Sequence, residues 1–142
     1  KRLFNNTQSA REASTWIEVG ASYKNKNETL PANFTNWGKT SVDLFAPGMA
    51  IASTVPGGFY KELQGTSMAS PEVAGVAALL MAHFPQKSSP EIVKSMMSTT
   101  TQYKGLIVNL PGTSGVEKVS FSHLSKTGGV VNTFSAMEAL LQ

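Results

Sequence analysis

The stretch GTSMASPEVAGVAALLMAHF, residues 65–84, is the most informative part of this sequence. Its larger apolar residues recur at i, i+3, i+4, i+7, i+8 and i+11, which predicts a helix from Ser67 to Phe84; they are Val73, Val76, Ala77, Leu80, Met81 and Phe84. The opposite face carries only Ala and Gly. A helix that is apolar all round is buried, so we expect it to lie centrally, between two layers.

Three strands are predicted before this helix. They run from Trp16 to Gly20, from Ser41 to Phe45 and from Ile51 to Val55, and Gly or Pro-Gly turns end them. The polar stretch 22–40 between the first two is expected to be a surface excursion.

Two further helices are predicted after the central one. The first starts at Ser89-Pro90-Glu91, with Ser89 as its cap, and the second starts near Asn132-Thr133. Residues 101–131 form a mixed segment with a short strand at 118–121. Three strands and three helices indicate an α/β fold, but the sheet is too small to cover so apolar a helix, so we expect part of the fold to lie outside this chain.

Composition excludes several classes of protein. The chain has 142 residues, 41% of them hydrophobic and 15% charged, which is typical of a packed domain. The net charge of +3 comes from scattered basic residues, so no nucleic-acid partner is expected. The longest apolar run, residues 73–84, is shorter than the roughly 20 residues of a membrane span. The absence of Cys excludes disulfides.

Ser67 is the candidate reactive residue, because its hydroxyl is expected at the start of the central helix. Free backbone N–H groups and the positive end of the helix dipole can stabilise an oxyanion there, and Gly65 lets a substrate backbone approach closely. The ordinary alternative is that Ser67 only caps the helix. Spacing alone leaves both interpretations open.

Residues 65–71, continuing through 73–75 and 77–79, resemble the nucleophile motif of the subtilisin family of serine proteases. Segments 17–21, 34–38, 42–48 and 128–132 resemble that family in the same order, so the similarity spans most of residues 16–141. The resemblance implies the C-terminal portion of a three-layer α/β fold, with a mostly parallel sheet flanked by helices. Residues 1–142 would then be the nucleophile-bearing fragment of a peptidase domain.

The resemblance also implies roles for the residues around the motif. Ser67 would be the catalytic nucleophile, and Leu63, Gln64, Gly65 and Thr66 would bind substrate, the first two on the leaving-group side. In the family an Asp and a His precede the serine, and an Asn in an Ala-Gly-Asn context donates to the oxyanion. None of these motifs occurs in this chain, and Glu72 stands where the family commonly has His.

The ionisable residues that are present do not replace the missing ones. His83 lies 16 residues beyond Ser67 on the same helix, about 24 Å away at 1.5 Å per residue. His123 lies in a polar segment typical of a surface histidine. Asp43, the one Asp of the chain, is expected to accept backbone hydrogen bonds or help bind a cation. No cofactor is expected to be required, although the family often binds calcium and a structural calcium ion is conceivable.

The functional hypothesis is a serine endopeptidase whose parent chain supplies the rest of the catalytic triad, with this chain inactive alone. One alternative is a pseudoprotease or peptide-binding remnant. Another is an esterase of the α/β-hydrolase type, disfavoured because Ala69 replaces the last Gly of its Gly-x-Ser-x-Gly motif. The expected partners are a peptide or protein substrate, the N-terminal part of the parent chain and, through exposed sheet edges, a second copy. The resemblance suggests a secreted or cell-envelope location.

Overall fold

The computed structural model describes residues 15–142, and predictions about residues 1–14 lie outside them. The strands are β1 (Val19–Ser22), β2 (Leu44–Pro47), β3 (Ile51–Val55), β4 (Phe59–Leu63), β5 (Thr101–Gln102), β6 (Ile107–Asn109), β7 (Lys118–Ser120) and β8 (Gly129–Val130). The α-helices are α1 (Thr66–His83), α2 (Ser89–Ser98) and α3 (Thr133–Leu140), and a 3-10 helix covers Phe121–His123.

The main sheet has the strand order β1-β2-β8-β5. Its first three strands are parallel, and β5 pairs with β8 in the antiparallel sense. The prediction of an α/β fold with a mostly parallel sheet is therefore confirmed. Gly20 pairs with Phe45 across β1 and β2, and a Cβ atom on Gly20 would lie 2.5 Å from the Phe45 ring. The missing side chain leaves room for this ring beside the neighbouring strand.

Two hydrophobic clusters cover the two faces of the sheet, because successive residues of a strand point to opposite sides. Leu44 and Ala46 of β2 belong to the cluster that contains the buried apolar residues of all three α-helices. Phe45, between them, belongs to the second cluster, with Val108 of β6 and Phe121 of the 3-10 helix. Within residues 15–142 the α-helices therefore cover one face, and the hairpin β6–β7 with the 3-10 helix covers the other.

Helix α1 is less enclosed than its sequence predicts. Its buried residues are Ala69, Val73 and Leu80, whereas Leu79 and Met81 are 42% and 41% exposed. One side of α1 packs on the sheet and α2 while the small-residue face meets solvent, so the second layer expected over this helix is not among residues 15–142.

The boundaries of β1 and β2 differ from the prediction, whereas β3 agrees with it residue for residue. The pairing of β1 with β2 starts at Val19 and Leu44 rather than at Trp16 and Ser41. Strand β4, which follows the turn at 56–58, was not predicted. Apolar and polar residues do not alternate along β4, and both strands of the β3–β4 hairpin are largely exposed.

The predicted helix starts are confirmed to within one residue. The cap of α2 is Ser88 and not Ser89, because Glu91 accepts hydrogen bonds from the Ser88 N–H (2.8 Å) and hydroxyl (2.7 Å). Ser88 at Ncap and Glu91 at N3 form a capping box. Helix α3 begins as predicted, with the Asn132 side chain accepting from the Ser135 N–H at 3.0 Å.

Candidate active site

Ser67 lies where the β4 strand turns into helix α1. Gly65 occupies the N-cap position with φ +154°, a backbone conformation that favours glycine. Ser67 is the second residue of the helix; it is exposed, and α1 has no side-chain cap hydrogen bond. The interpretation of Ser67 as a helix cap is therefore wrong, and its hydroxyl is accessible at the positive end of the helix.

A short backbone ladder fixes this turn to the main sheet. The Gly48 N–H donates to the Ser22 carbonyl at the end of β1 (2.9 Å), and the Gly65 N–H donates to the Gly48 carbonyl (2.8 Å). A Cβ atom on Gly48 would lie 2.7 Å from the Ala21 Cβ and 2.8 Å from the Gly65 oxygen. Ser67 is thus held beyond the carboxyl ends of β1 and β2, where open α/β sheets bind their ligands.

The first turn of α1 leaves backbone donors available beside the hydroxyl. The N–H groups of Met68 and Ala69 both donate to the Gly65 carbonyl, at 3.0 and 3.3 Å. The N–H groups of Thr66 and Ser67 have no acceptor among residues 15–142. The first N–H groups of a helix have no acceptor within the helix, and the positive end of the helix dipole lies beside them. Both features favour negative charge that develops there. The turn can therefore stabilise an oxyanion next to the Ser67 hydroxyl.

Two open grooves meet at Ser67. Groove 1 has a volume of about 1010 Å³, and its lining includes Trp16, Phe34, Trp37, Thr66, Ser67 and Pro111. Groove 2 has a volume of about 560 Å³, and its lining includes Ile51, Leu63, Ser67, Met68, Glu72 and Leu79. Ser67 is the one described residue that borders both grooves, so an extended ligand lying across Ser67 would enter both grooves.

The expected substrate-binding residues are distributed around this junction. Leu63 lines groove 2 and Thr66 lines groove 1. Gly65 forms the bend between them, and Gln64 is exposed but lines neither groove. The structure brings Leu63, Thr66 and Ser67 to one accessible edge.

The two histidines lie away from the serine, as expected. His83 is the last residue of α1, and its Nδ1 contacts the Leu79 carbonyl at 3.0 Å. His123 is exposed in the 3-10 helix. Neither lines a groove that Ser67 borders.

Asp43 has the structural role expected of it. It is 2% exposed, and its Oδ2 accepts a hydrogen bond from the Glu18 N–H at 2.8 Å. Residues 15–142 contain no group of three or more acidic or histidine side chains that could hold a metal ion. None of the helices within residues 15–142 is long and apolar enough to cross a membrane.

Sequence reasoning missed two contributors to groove 1. The buried Thr35 hydroxyl accepts from the Ala21 N–H at 2.8 Å and donates to the Asn36 carbonyl at 3.0 Å, which fixes the loop of Phe34 and Trp37 beside β1. The second contributor to groove 1 is the tip of the hairpin β6–β7, where Pro111 lines the groove. No local pattern could reveal either contact, because each joins residues far apart in the sequence.

An α/β fold with an accessible serine at a strand-to-helix turn defines the general class of serine-nucleophile proteins. A model of the Subtilase family matches residues 4–129, so this chain belongs to the subtilase family. The resemblance identified from residues 65–71 is thereby confirmed.

Individual relatives match over part of their length. Subtilisin-like protease 1 of Arthroderma otae is 49% identical over 83 residues, covering 55% of this chain and 16% of the relative. Subtilisin DY of Bacillus licheniformis is 42% identical over 85 residues, covering 60% and 30%. Alkaline elastase YaB of Bacillus sp. (strain YaB) is 41% identical over 99 residues, covering 66% and 25%. The chain spans less than a third of each of these three relatives.

Solved structures agree on the fold. The prenylagaramide maturation protease PagA superposes with a TM-score of 0.66 and 27% identity, covering 92% of this chain and 45% of that chain. A structure of the subtilase cytotoxin SubAB superposes with a TM-score of 0.69 at 22% identity, covering 87% and 36%. The α/β-hydrolase alternative is wrong, because the strand before Ser67 belongs to a separate antiparallel hairpin and not to the main sheet.

Proposed function

We propose that the protein containing this chain is a serine endopeptidase in which Ser67 attacks the scissile peptide carbonyl. One observation carries the proposal: the Ser67 hydroxyl is exposed at the junction of two grooves, beside backbone N–H groups without acceptors in the described structure. The family match and the relatives named as proteases support the same reaction.

Attack by Ser67 needs a base, and residues 15–142 bring no histidine to the serine. In our proposal a part of the parent protein outside residues 1–142 supplies the His, the Asp that orients it and the Asn side chain that donates to the oxyanion. The chain itself supplies the nucleophile and the Ser67 N–H. An unactivated serine is a weak nucleophile near neutral pH, so this chain alone should hydrolyse peptides negligibly.

The substrate would lie across the junction of the two grooves. Leu63, which lines groove 2, and Gln64 would border the leaving-group side, and Gly65 would let the peptide backbone approach Ser67. Thr66 would contact the part of the substrate that enters groove 1. The bound peptide would then place its carbonyl oxygen near the free N–H groups at the start of α1.

The test is hydrolysis of a peptide substrate by a longer protein that contains this chain. Ser67→Ala should lower kcat by about 10⁴-fold or more, because it removes the nucleophile. Ser89→Ala is the matched control, since Ser89 is also an exposed serine at a helix start but lines neither groove, and it should leave kcat unchanged. Equal activity of wild type and Ser67→Ala would overturn the proposal.

The non-catalytic alternative predicts a different result in the same experiment. A pseudoprotease would bind the peptide without turnover, before and after the Ser67→Ala change. The isolated chain gives a second check: turnover by residues 1–142 alone, abolished by Ser67→Ala, would contradict the assignment of the base to another part of the protein.

The family resemblance also leads us to propose that the parent protein is exported. Its activity should then appear in the medium or at the cell surface of the source organism, and activity retained wholly inside the cells would contradict this.

A further inference from the structure

The motif Asn-x-Thr occurs at residues 27–29 and 33–35 of the described structure, and a further copy at residues 5–7 lies outside it. This motif is the acceptor pattern of N-linked glycosylation. Because the pattern is short, it indicates a glycan site only where the fold holds the asparagine on an accessible surface loop. The fold treats the two described copies of the motif differently.

In the first copy, the asparagine is exposed and its amide nitrogen is not used by the fold. Asn27 and Thr29 are both exposed. The Asn27 Oδ1 accepts hydrogen bonds from the Thr29 N–H at 2.9 Å and from the Thr29 hydroxyl at 2.7 Å. Within residues 15–142 the Asn27 Nδ2 makes no hydrogen bond. The atom to which an N-linked glycan is attached is therefore not engaged in any contact that the fold needs.

The loop around Asn27 has room for a bulky substituent. Residues 24–29 are all exposed, and none of them lines groove 1 or groove 2. The base of the loop is closed by two backbone hydrogen bonds, from the Tyr23 N–H to the Leu30 carbonyl (2.6 Å) and from the Leu30 N–H to the Asn27 carbonyl (3.0 Å). A glycan on Asn27 would therefore stand in solvent without displacing a core residue or obstructing Ser67.

The second copy of the motif is built into the fold. Thr35 is 5% exposed, and its hydroxyl takes part in two hydrogen bonds, at 2.8 and 3.0 Å. The Gly112 N–H of the hairpin β6–β7 donates to the Asn33 carbonyl at 2.9 Å and lies 3.2 Å from the Asn33 Oδ1. Asn33 also lines groove 1, so a glycan there would obstruct the groove that Ser67 borders.

We propose that Asn27 is a glycan acceptor: when the protein passes through an export pathway that supplies a lipid-linked oligosaccharide, the sugar is transferred to Asn27 and not to Asn33. The Asn27 Nδ2 bonds to the first carbon of the sugar, and the bond from that carbon to the diphosphate of the lipid carrier breaks. The lipid diphosphate leaves, and Nδ2 loses one of its two protons to the transferase. This site is separate from the proposed endopeptidase function, because residues 24–29 line neither groove.

The test uses the longer protein that contains this chain, carrying Ser67→Ala to prevent self-cleavage and secreted by a yeast host through the host's own signal. An enzyme that releases N-linked glycans, used in heavy-oxygen water, converts each glycosylated Asn to a labelled Asp. Cleavage after Glu then gives peptides 19–28 and 29–62, which carry Asn27 and Asn33 separately. Mass spectrometry should find the label on residue 27 and none on residue 33.

Exposed positions of the same loop supply the variants. Asn27→Gln and Thr29→Ala should each abolish the label on peptide 19–28, because the first removes the acceptor and the second removes the hydroxyl of the motif. Thr29→Ser should keep the label, because the motif accepts serine. Asn25→Gln is the matched control: Asn25 is an exposed asparagine of the same loop outside any motif, so its replacement should leave the label unchanged.

Three results would overturn the inference: an unlabelled Asn27 in the secreted protein, a label on Asn33 equal to that on Asn27, or a label that survives Thr29→Ala. The outcome does not depend on the proposed function. With Ser67 present, Asn27→Gln should leave kcat and KM for a peptide substrate unchanged, since the loop lines neither groove. A labelled Asn27 in a protein without peptidase activity would leave the glycan site standing and contradict the endopeptidase alone.

Discussion

Gly48 is the position at which a single added methyl group should disturb the Ser67 turn most directly. A Cβ atom there would lie 2.7 Å from the Ala21 Cβ and 2.8 Å from the Gly65 oxygen, whereas carbon atoms in contact are normally about 3.5 Å or more apart. Gly48 has no positive φ, so alanine fits its backbone conformation and the conflict is purely steric. Relief requires a shift of about 0.8 Å in β1 or in the turn.

The cost of Gly48→Ala follows from this overpacking. Small-to-large changes at close-packed positions cost about 1–3 kcal/mol, and a chain of this size loses roughly 3–4 °C of its thermal midpoint per kcal/mol. The midpoint of Gly48→Ala, followed by circular dichroism, should therefore fall by about 3–12 °C. In the active longer protein, a Ser67 displaced by up to about 1 Å should lower kcat/KM by as much as about 100-fold.

Gly75→Ala is the matched control. A Cβ atom on Gly75 meets nothing within 4 Å, and alanine is the better helix former by up to about 1 kcal/mol, so this variant should be as stable as wild type or more stable. A Gly48→Ala protein with an unchanged midpoint and unchanged kcat/KM would refute the argument that the contact between Gly48 and Gly65 holds the serine in position.

Three further predictions concern stability and assembly. Asp43→Ala should lower the free energy of unfolding in urea by about 1–3 kcal/mol, because it removes the acceptor of the Glu18 N–H; an unchanged value would contradict that role. The Ser88 hydrogen bonds and the Lys87 charge lower the pKa of Glu91, so its ionised form stabilises the fold above the usual pKa of Glu and this contribution is lost as pH falls through the lowered value. Thermal midpoints of wild type and Glu91→Gln should therefore differ at neutral pH and converge in acid, and a gap that stays constant would rule this out. The exposed face of α1 and the exposed β3–β4 hairpin should make the isolated chain self-associate, and light scattering that shows only monomer at high concentration would argue against it.

The helices were the most predictable part of the fold, because their signals are local. The apolar spacing of residues 73–84 predicts α1, the Ser-Pro-Glu start predicts α2 and Asn132 predicts α3. The displaced α2 cap shows the limit of such signals. Ser88 and Ser89 are equally suitable residues, and the carboxylate of Glu91 selects the one three positions before it.

The short strands were less predictable, because strand formation depends on a partner. Phe59–Leu63 has no alternating apolar face, and it forms β4 by pairing with β3 across the turn that Gly57 and Gly58 make with positive φ. Strands β5 and β8 contain two residues each and exist through their pairing with one another and with β2. The residues of one short strand do not indicate which other strand it will pair with.

The helices, the α/β class, the subtilase resemblance and Ser67 as the candidate nucleophile could all be predicted from the sequence, since each depends on residues close together along the chain. The exposure of Ser67 between two grooves, the backbone ladder through Gly48 and the hairpin contact at Asn33 depend on the folded chain. Those features arise where residues distant in sequence pack against each other, and their steric fit and hydrogen bonds come into existence only when the chain has folded.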